Sequence, residues 1–199
     1  MAVFSGPNIK AFPGTLYAAP LGTTEPTSVT GVWPTGWIML GYTQQGTQFE
    51  DQTTAAAITP EEEIYAVRNV TTDKVARATF ALAEFTAQNL RLALNLGANP
   101  VAYNTAATGT NPDGSLWTEP PVPGTEVRVM IGWDALPKGA SSGVDPFARL
   151  ILRQCWQDGN MQMSFRKGNA FATYACQFSC EKPPTAEPYR FIHNANLAS

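Results

Sequence analysis

Residues Arg77–Gly97 read RATFALAEFTAQNLRLALNLG, and a change of period inside this stretch decides the fold. Ala78, Phe80 and Leu82 alternate with Arg77, Thr79 and Ala81, the two-residue period of a half-buried strand. At Thr86 the period lengthens. The threonine hydroxyl can accept from a backbone N–H one turn on, which makes Thr86 a suitable N-cap. Leu90, Ala93 and Leu94 then recur at helical spacing. Gly97 is expected to end the helix, where a residue without a Cβ turns left-handed cheaply. The pattern predicts a helix from Thr86 to Leu96 whose Leu90 and Leu94 pack on a sandwich.

The segments around this stretch are rich in strand signals. Upstream, Leu16–Ala18 and Gly36–Tyr42 read as strands, with Trp37 and Leu40 as apolar anchors and a turn-rich loop between. Thr47–Asp51 is a further short strand. Gln52–Pro60, with Thr53-Thr54-Ala55-Ala56-Ala57, has no period and is expected to be an exposed loop. Glu61–Val70 and Val75–Phe85 then form a hairpin joined by Thr71-Thr72-Asp73-Lys74, which carries turn chemistry. Downstream, residues 98–124 are full of breakers such as Asn111-Pro112-Asp113-Gly114 and have no period. Strands resume with Val127–Trp133, Phe147–Arg153, Met161–Phe165 and Phe171–Glu181. Many short strands with frequent turns indicate an all-β sandwich or barrel. The expected fold is therefore all-β with one flanking helix, extended loops and terminal arms. Its parts are an N-terminal arm over 1–14, a body over 15–183 with a loop insertion at 98–124, and a C-terminal tail over 184–199.

Composition narrows the functional classes. A chain of 199 residues can bury one substantial core. Charged residues make up 15%, well under the roughly 25% of ordinary soluble domains, which suits a subunit that lies against copies of itself. The net charge of −3 argues against a protein that grips nucleic acid through a basic face. It is compatible with a pore that lets DNA slide past. Three cysteines, Cys155, Cys176 and Cys180, cannot form a complete disulfide set and read as buried reduced thiols suited to a reducing cytoplasm. The N-terminus lacks a basic region and an apolar core of signal-peptide length. No stretch has the length of a membrane helix, so no membrane partner is expected.

Catalytic chemistry has little to work with. His193 is the only histidine and falls in the expected tail, where a base is rarely held with catalytic accuracy. Glu61-Glu62-Glu63 is the densest charge. On a strand Glu61 and Glu63 share one side, either as a solvated strand start or as the wall of a negative channel. No glycine-rich loop opens a helix, so there is no phosphate cradle. Arg149, Arg153, Arg166 and Lys167 could gather on adjacent strands, either as partners for acidic patches of neighbouring subunits or as a solvated face. The expectation is a protein that is not an enzyme, with no catalytic residues, no cofactor and no metal.

Three pieces of the first half resemble the major tail tube protein of long-tailed, siphovirus-type phages, especially those of actinobacteria. They are Gly14–Thr23 followed by Pro26, Gly36–Thr43 followed by Phe49, and Ala66–Val70 leading into Ala78–Thr86 and Asn89–Leu94, in the family's order. The resemblance implies a tail tube fold, a β-sandwich with a flanking helix. It implies homohexameric rings stacked into a hollow tube through which phage DNA is ejected, assembled in the host cytoplasm and resident in the virion tail. It implies tail terminator, tape measure and distal tail proteins as partners. Glu61, Glu63, Arg77 and Thr79 are the candidate lumen-facing residues. Phe4, Ile9 and Phe12, studs in an arm without period, are the candidate inter-ring contacts. Other readings are a tail terminator, a capsid decoration protein, or a β-sandwich carbohydrate-binding module using Trp33, Trp117 or Trp156. Deleting residues 1–12 is expected to leave circular dichroism and melting of the subunit nearly intact while shortening or abolishing tubes in micrographs. Unfolding of the truncated subunit would put the arm in the core instead.

Overall fold

A computed structural model describes residues 14–41, 43–58, 68–84, 86–97, 108–110, 116–136, 146, 148–159, 161–164 and 173–193. The elements in chain order are β1 (Gly14–Pro20), β2 (Ile38–Met39), β3 (Thr43–Ile58), β4 (Arg68–Leu82), α1 (Ala87–Ala93), β5 (Thr108–Thr110), β6 (Leu116–Thr118), β7 (Val129–Ala135), β8 (Ala148–Gln157), β9 (Gln162–Ser164), β10 (Thr173–Cys180) and β11 (Tyr189–His193). Nine strands form one antiparallel sheet in the order β2-β1-β7-β8-β10-β4-β3, with β11 added to β8 and β9 to β10. The pair β5–β6 stands apart within the expected insertion.

The sheet folds over on itself without closing. Leu16 and Ala18 of β1, Ile131 of β7 and Leu150 and Leu152 of β8 share one core with Ala78, Phe80 and Leu82 of β4 and Tyr174, Cys176 and Phe178 of β10. The result is sandwich-like and not a barrel, because β2 and β3 end the strand order without pairing with each other. The alternation of Ala78, Phe80 and Leu82 is the register of a strand with one face in the core, and Phe80 stacks on Phe178 with centroids 5.6 Å apart.

Three expectations are corrected upstream and at the C-terminus. Gln52–Ile58 belongs to β3 and is not a loop. Thr71-Thr72-Asp73-Lys74 lies inside β4, not at a hairpin joint. Thr54 pairs with Asp73 and Ala55 with Thr71, so Thr72 is an extra residue on β4. The turn-forming side chains serve a bulge: the Thr72 hydroxyl donates to Thr54 O at 3.3 Å, and Asp73 accepts from the Lys74 N–H at 2.8 Å. Tyr189–His193, in the stretch expected to be a tail, forms β11 and pairs with Leu152–Ala148 of β8.

The helix starts as expected and stops sooner. Thr86 is extended, with φ −112° and ψ 152°, and its hydroxyl accepts from Asn89 N–H at 3.1 Å. The left-handed residue that ends the helix is Asn95, at φ 57°, not Gly97. Asn95 N–H donates to Leu92 O at 3.1 Å and Leu96 N–H to Arg91 O at 2.9 Å, the paired bonds of a Schellman cap. Asparagine serves here because its side chain has a second task. Asn95 Nδ2 donates to Gln157 O at 2.8 Å and its Oδ1 accepts from Gln157 N–H at 2.7 Å, so one side chain pairs with the end of β8 as a strand would. Leu92 and Ala93 are the buried apolar residues of the helix. Leu90 packs half-buried against the core and Leu94 is the half-buried C-cap.

Asn95→Ala should lose both hydrogen bonds and leave in the left-handed region a residue that tolerates it less well than asparagine, at a cost of about 2–4 kcal/mol. Asn95→Gly restores the backbone freedom and should recover about 1 kcal/mol of that in urea denaturation. Equal losses in the two variants would show that the Gln157 bonds alone matter.

Candidate assembly surface

Strands β3 and β4 stay paired from Thr43–Leu82 to Ile58–Arg68. Strand β10 accompanies β4 only between Leu82 and Ala76. Beyond that point, residues 52–58 and 68–75 form a two-stranded ribbon with no third strand beside it among the described residues. Every residue of the ribbon is exposed except Val75, which is half-buried. Its side chains are short or polar, with Ile58 and Val70 exposed near its tip. A lone two-stranded ribbon is marginally stable at best in water. Its absence from the sequence reading has a physical cause: with neither face buried in the subunit, Gln52–Ile58 carries no alternation to detect.

The base of the ribbon is braced from the side. Lys74 Nζ lies 3.1 Å from Asp51, and the Tyr189 hydroxyl of β11 donates to the same carboxylate at 2.5 Å. Hydrogen bonds from Tyr189 first, then Lys74, hold the Asp51 carboxyl below its usual range. The Tyr189 ring meets Phe49 edge-on at 5.1 Å. The outer edge of β3 has no strand partner among the described residues, so its backbone donors and acceptors are open to pairing.

The outward face at the ribbon's root is polar. Arg77 and Thr79 lie on it, opposite the buried Ala78 and Phe80. Thr79 stands between Gln48 and Gln177, and Arg77 between Glu50 and Ser179. Arg77 Nε donates to Ser179 Oγ at 3.3 Å, and Ser179 in turn donates to Asp158. Glu61, Glu63, Phe4, Ile9 and Phe12 lie outside the described residues.

The basic cluster expected from Arg149 and Arg153 does not form as a surface, because both arginines are used inside the subunit; Arg166 and Lys167 lie outside the described residues. Arg149 is buried, and its Nε donates to Asp134 at 2.9 Å. Its other nitrogens donate to Ser28 O at 2.9 Å and Gly31 O at 2.6 Å, which ties the loop between β1 and β2 to β8. Trp33 Nε1 donates to the same Asp134 carboxylate at 2.8 Å, and the guanidinium lies 5.1 Å from the Trp33 ring centre. Burial pushes the Asp134 carboxyl above its usual range against the pull of Trp33 and Arg149. Arg153 holds Glu25 of the same loop through two bonds of 2.5 and 2.8 Å, and that hydrogen bonding lowers the Glu25 carboxyl.

Nothing in this arrangement assembles a reaction centre. His193 is exposed on β11. Among the described residues no three His, Cys, Asp or Glu side chains are placed to hold a metal, and no helix is long and apolar enough to cross a membrane. What the surface offers is an unpaired strand edge, a projecting ribbon and a polar outer face, which are devices for association.

A family model described as phage tail tube protein matches residues 1–116, more than half of the chain. The chain belongs to the phage tail tube protein family. A tail tube protein is a non-catalytic structural component of the virion tail and associates with other tail components, which accords with a surface built for association. No curated protein matches the sequence. Solved structures are similar at low identity, two of them from the anti-feeding prophage. A chain of the anti-feeding prophage cap, which terminates that tube, is 10% identical, with 98% of this chain and 95% of that chain covered and a TM-score of 0.45. A chain of the anti-feeding prophage baseplate is 8% identical, with 97% and 98% covered and a TM-score of 0.44. At so slight a likeness neither bears on fold or function.

Arg149→Met should destabilise the tail tube protein by about 3–5 kcal/mol, because it leaves the Asp134 carboxylate buried without its partner. Adding Asp134→Leu should return much of that loss. A double variant as unstable as the single one would show that the bonds to Ser28 and Gly31, not the charge pair, carry the effect.

Proposed function

We propose that this chain is the major tail tube subunit of a siphovirus-type phage, similar to those of actinobacteria, and that it polymerises as stacked homohexameric rings around a bore through which DNA is ejected. The observation that carries this reading is the ribbon of residues 52–58 and 68–75. It is too thin to be stable alone and exposes nearly every residue, Ile58 and Val70 among them, so a neighbouring copy is the natural cover. The open edge of β3 calls for the same partner, since a strand from the next subunit would satisfy its backbone groups. Heterologous contacts of this kind close into rings within a layer and extend as a filament between layers.

In this reading the arm of residues 1–14, through Phe4, Ile9 and Phe12, clasps the next ring. The body over 15–183 forms the wall and the 98–124 insertion decorates it. Arg77 and Thr79, with Glu61 and Glu63, face the bore; Thr79 and the glutamates offer phosphate no cation, and Arg77 is bonded to Ser179. Tail terminator, tape measure and distal tail proteins cap and gauge the tube, and the subunit assembles in the host cytoplasm. A carbohydrate-binding module is the weaker reading, since it needs exposed tryptophans. Trp33 is stacked on Tyr17 at 4.5 Å and bonded to Asp134, and Trp156 lies under Arg128 at 5.3 Å, while the Trp117 side chain lies outside what the structure describes.

Negative-stain micrographs of the purified chain should show tubes or rings, and sedimentation should show species far larger than the 21.4 kDa subunit. Ala55→Glu with Ala57→Glu, both on one face of the ribbon, should leave the melting midpoint within about 2–4 °C and abolish the tubes. Glu61→Lys with Glu63→Lys should still assemble and should slow ejection. A monodisperse monomer at micromolar concentration under all salt conditions would sink the reading.

A further inference from the structure

Cys155 of β8 and Cys180 of β10 are direct cross-strand partners. Glu181 N–H donates to Gln154 O at 3.1 Å, and Asp158 N–H to Gln177 O at 3.1 Å. Those bonds flank Cys155–Cys180 and Gln157–Phe178, so both are non-hydrogen-bonded pairs, the closer of the two kinds of antiparallel pair. Their Cα atoms lie roughly 4.5 Å apart, inside the range of about 4.4–6.8 Å that a disulfide spans. The two Sγ atoms are 3.0 Å apart, so a bond of about 2.05 Å needs only a small closing movement.

The backbone is arranged to make this meeting. Val129 pairs with Cys155 and Ile131 with Leu152, which leaves one extra residue on β8. Gln154 takes that bulge at φ 44°, left-handed for a residue with a side chain. The bulge ends at Cys155 and sets its side chain opposite Cys180. Cys176, the third thiol, is buried and stands opposite Phe80 of β4. Burial pushes its thiol up to about 12. Three cysteines thus resolve into one facing pair and one core residue, which the count alone could not show.

We propose that Cys155 and Cys180 are an intramolecular disulfide site, closed by exchange with a small organic disulfide once the chain leaves a reducing compartment. Cys180 is half-buried and Cys155 fully buried, so Cys180 reacts first. Its thiolate attacks the external disulfide, breaks that S–S bond and expels one thiolate. Cys155 Sγ then loses its proton and attacks the Cys180 sulfur, which expels the second thiolate. Two cysteine thiols are oxidised, one external disulfide is reduced to two thiols, and the two protons end on those thiols. The second step is slow and speeds up with pH, because burial raises the Cys155 thiol. The site does not depend on tube formation.

The test uses the full chain, purified reduced and then incubated with 2-hydroxyethyl disulfide. Thiols are counted in denaturant. The expected count falls from three to one, the mass falls by two hydrogens, and a peptide pair joins Cys155 to Cys180. Cys176→Ser should close the same bond and leave no free thiol. Cys155→Ser should stop at a stable adduct on Cys180. Three free thiols after incubation, a lasting adduct on Cys180 in the unsubstituted chain, or a bond that includes Cys176 would each overturn the proposal.

Discussion

The backbone ladder of β4 is the constraint on which the rest of the structure depends. Between Ala76 and Leu82 it is an interior strand, bonded to β3 on one side and β10 on the other. Between Arg68 and Val75 it has β3 alone among the described residues. One strand therefore belongs to two environments. Its inner half places Ala76, Ala78, Phe80 and Leu82 in the core. Its outer half is exposed up to the half-buried Val75, and the composition follows: Arg68, Asp73 and Lys74 with two threonines, an asparagine and two valines. The Thr72 bulge lies in that outer half, where an extra residue disturbs no side chain of the core.

Charge is placed with the same economy. A chain with so few ionised groups commits several of them to holding its own loops. Arg149 and Asp134 are both nearly inaccessible to water, and with Trp33 they fasten the loop between β1 and β2. A buried pair is weak evidence of net stability, because desolvation offsets much of the attraction. Its more secure effect is on geometry, since three donors on a planar guanidinium fix the positions of Ser28 O, Gly31 O and the Asp134 carboxylate together.

Legibility in the sequence tracked burial. The inner half of β4 and the cap at Thr86 were legible because one face is apolar and because a hydroxyl before a helix has one obvious partner. Much of β8 and β10 was legible for the same reason. Gln52–Ile58 was not, since a strand exposed on both faces lacks the alternation that marks strands. Thr71–Lys74 misled because bulges and turns ask for the same side chains. Asn95 was passed over for Gly97, as the two hydrogen bonds that favour asparagine go to Gln157, far along the chain. Arg149 read as surface charge because its partner, Asp134, is brought opposite only by the register of β7 with β8. The polar face bearing Arg77 and Thr79 was legible as a face, whereas of the ribbon beyond it only residues 68–70 and Val75 read as strand.

An open sheet with a long free edge is ordinarily an aggregation hazard, and here the hazard is directional. At one end of the strand order, β2 spans only Ile38–Met39 and offers few groups to pair. At the other end, β3 offers a long edge interrupted by bulges at Gln44–Thr47 and opposite Thr72. Bulges break the regular spacing of donors and acceptors, so only a strand that matches the interruption pairs along the whole edge. A random neighbour gains a few bonds and leaves the rest unsatisfied, each at a cost of about 1–3 kcal/mol if buried. A copy presented in one register can satisfy them all. In the proposed assembly, specific pairing and resistance to disordered association follow from the same two bulges.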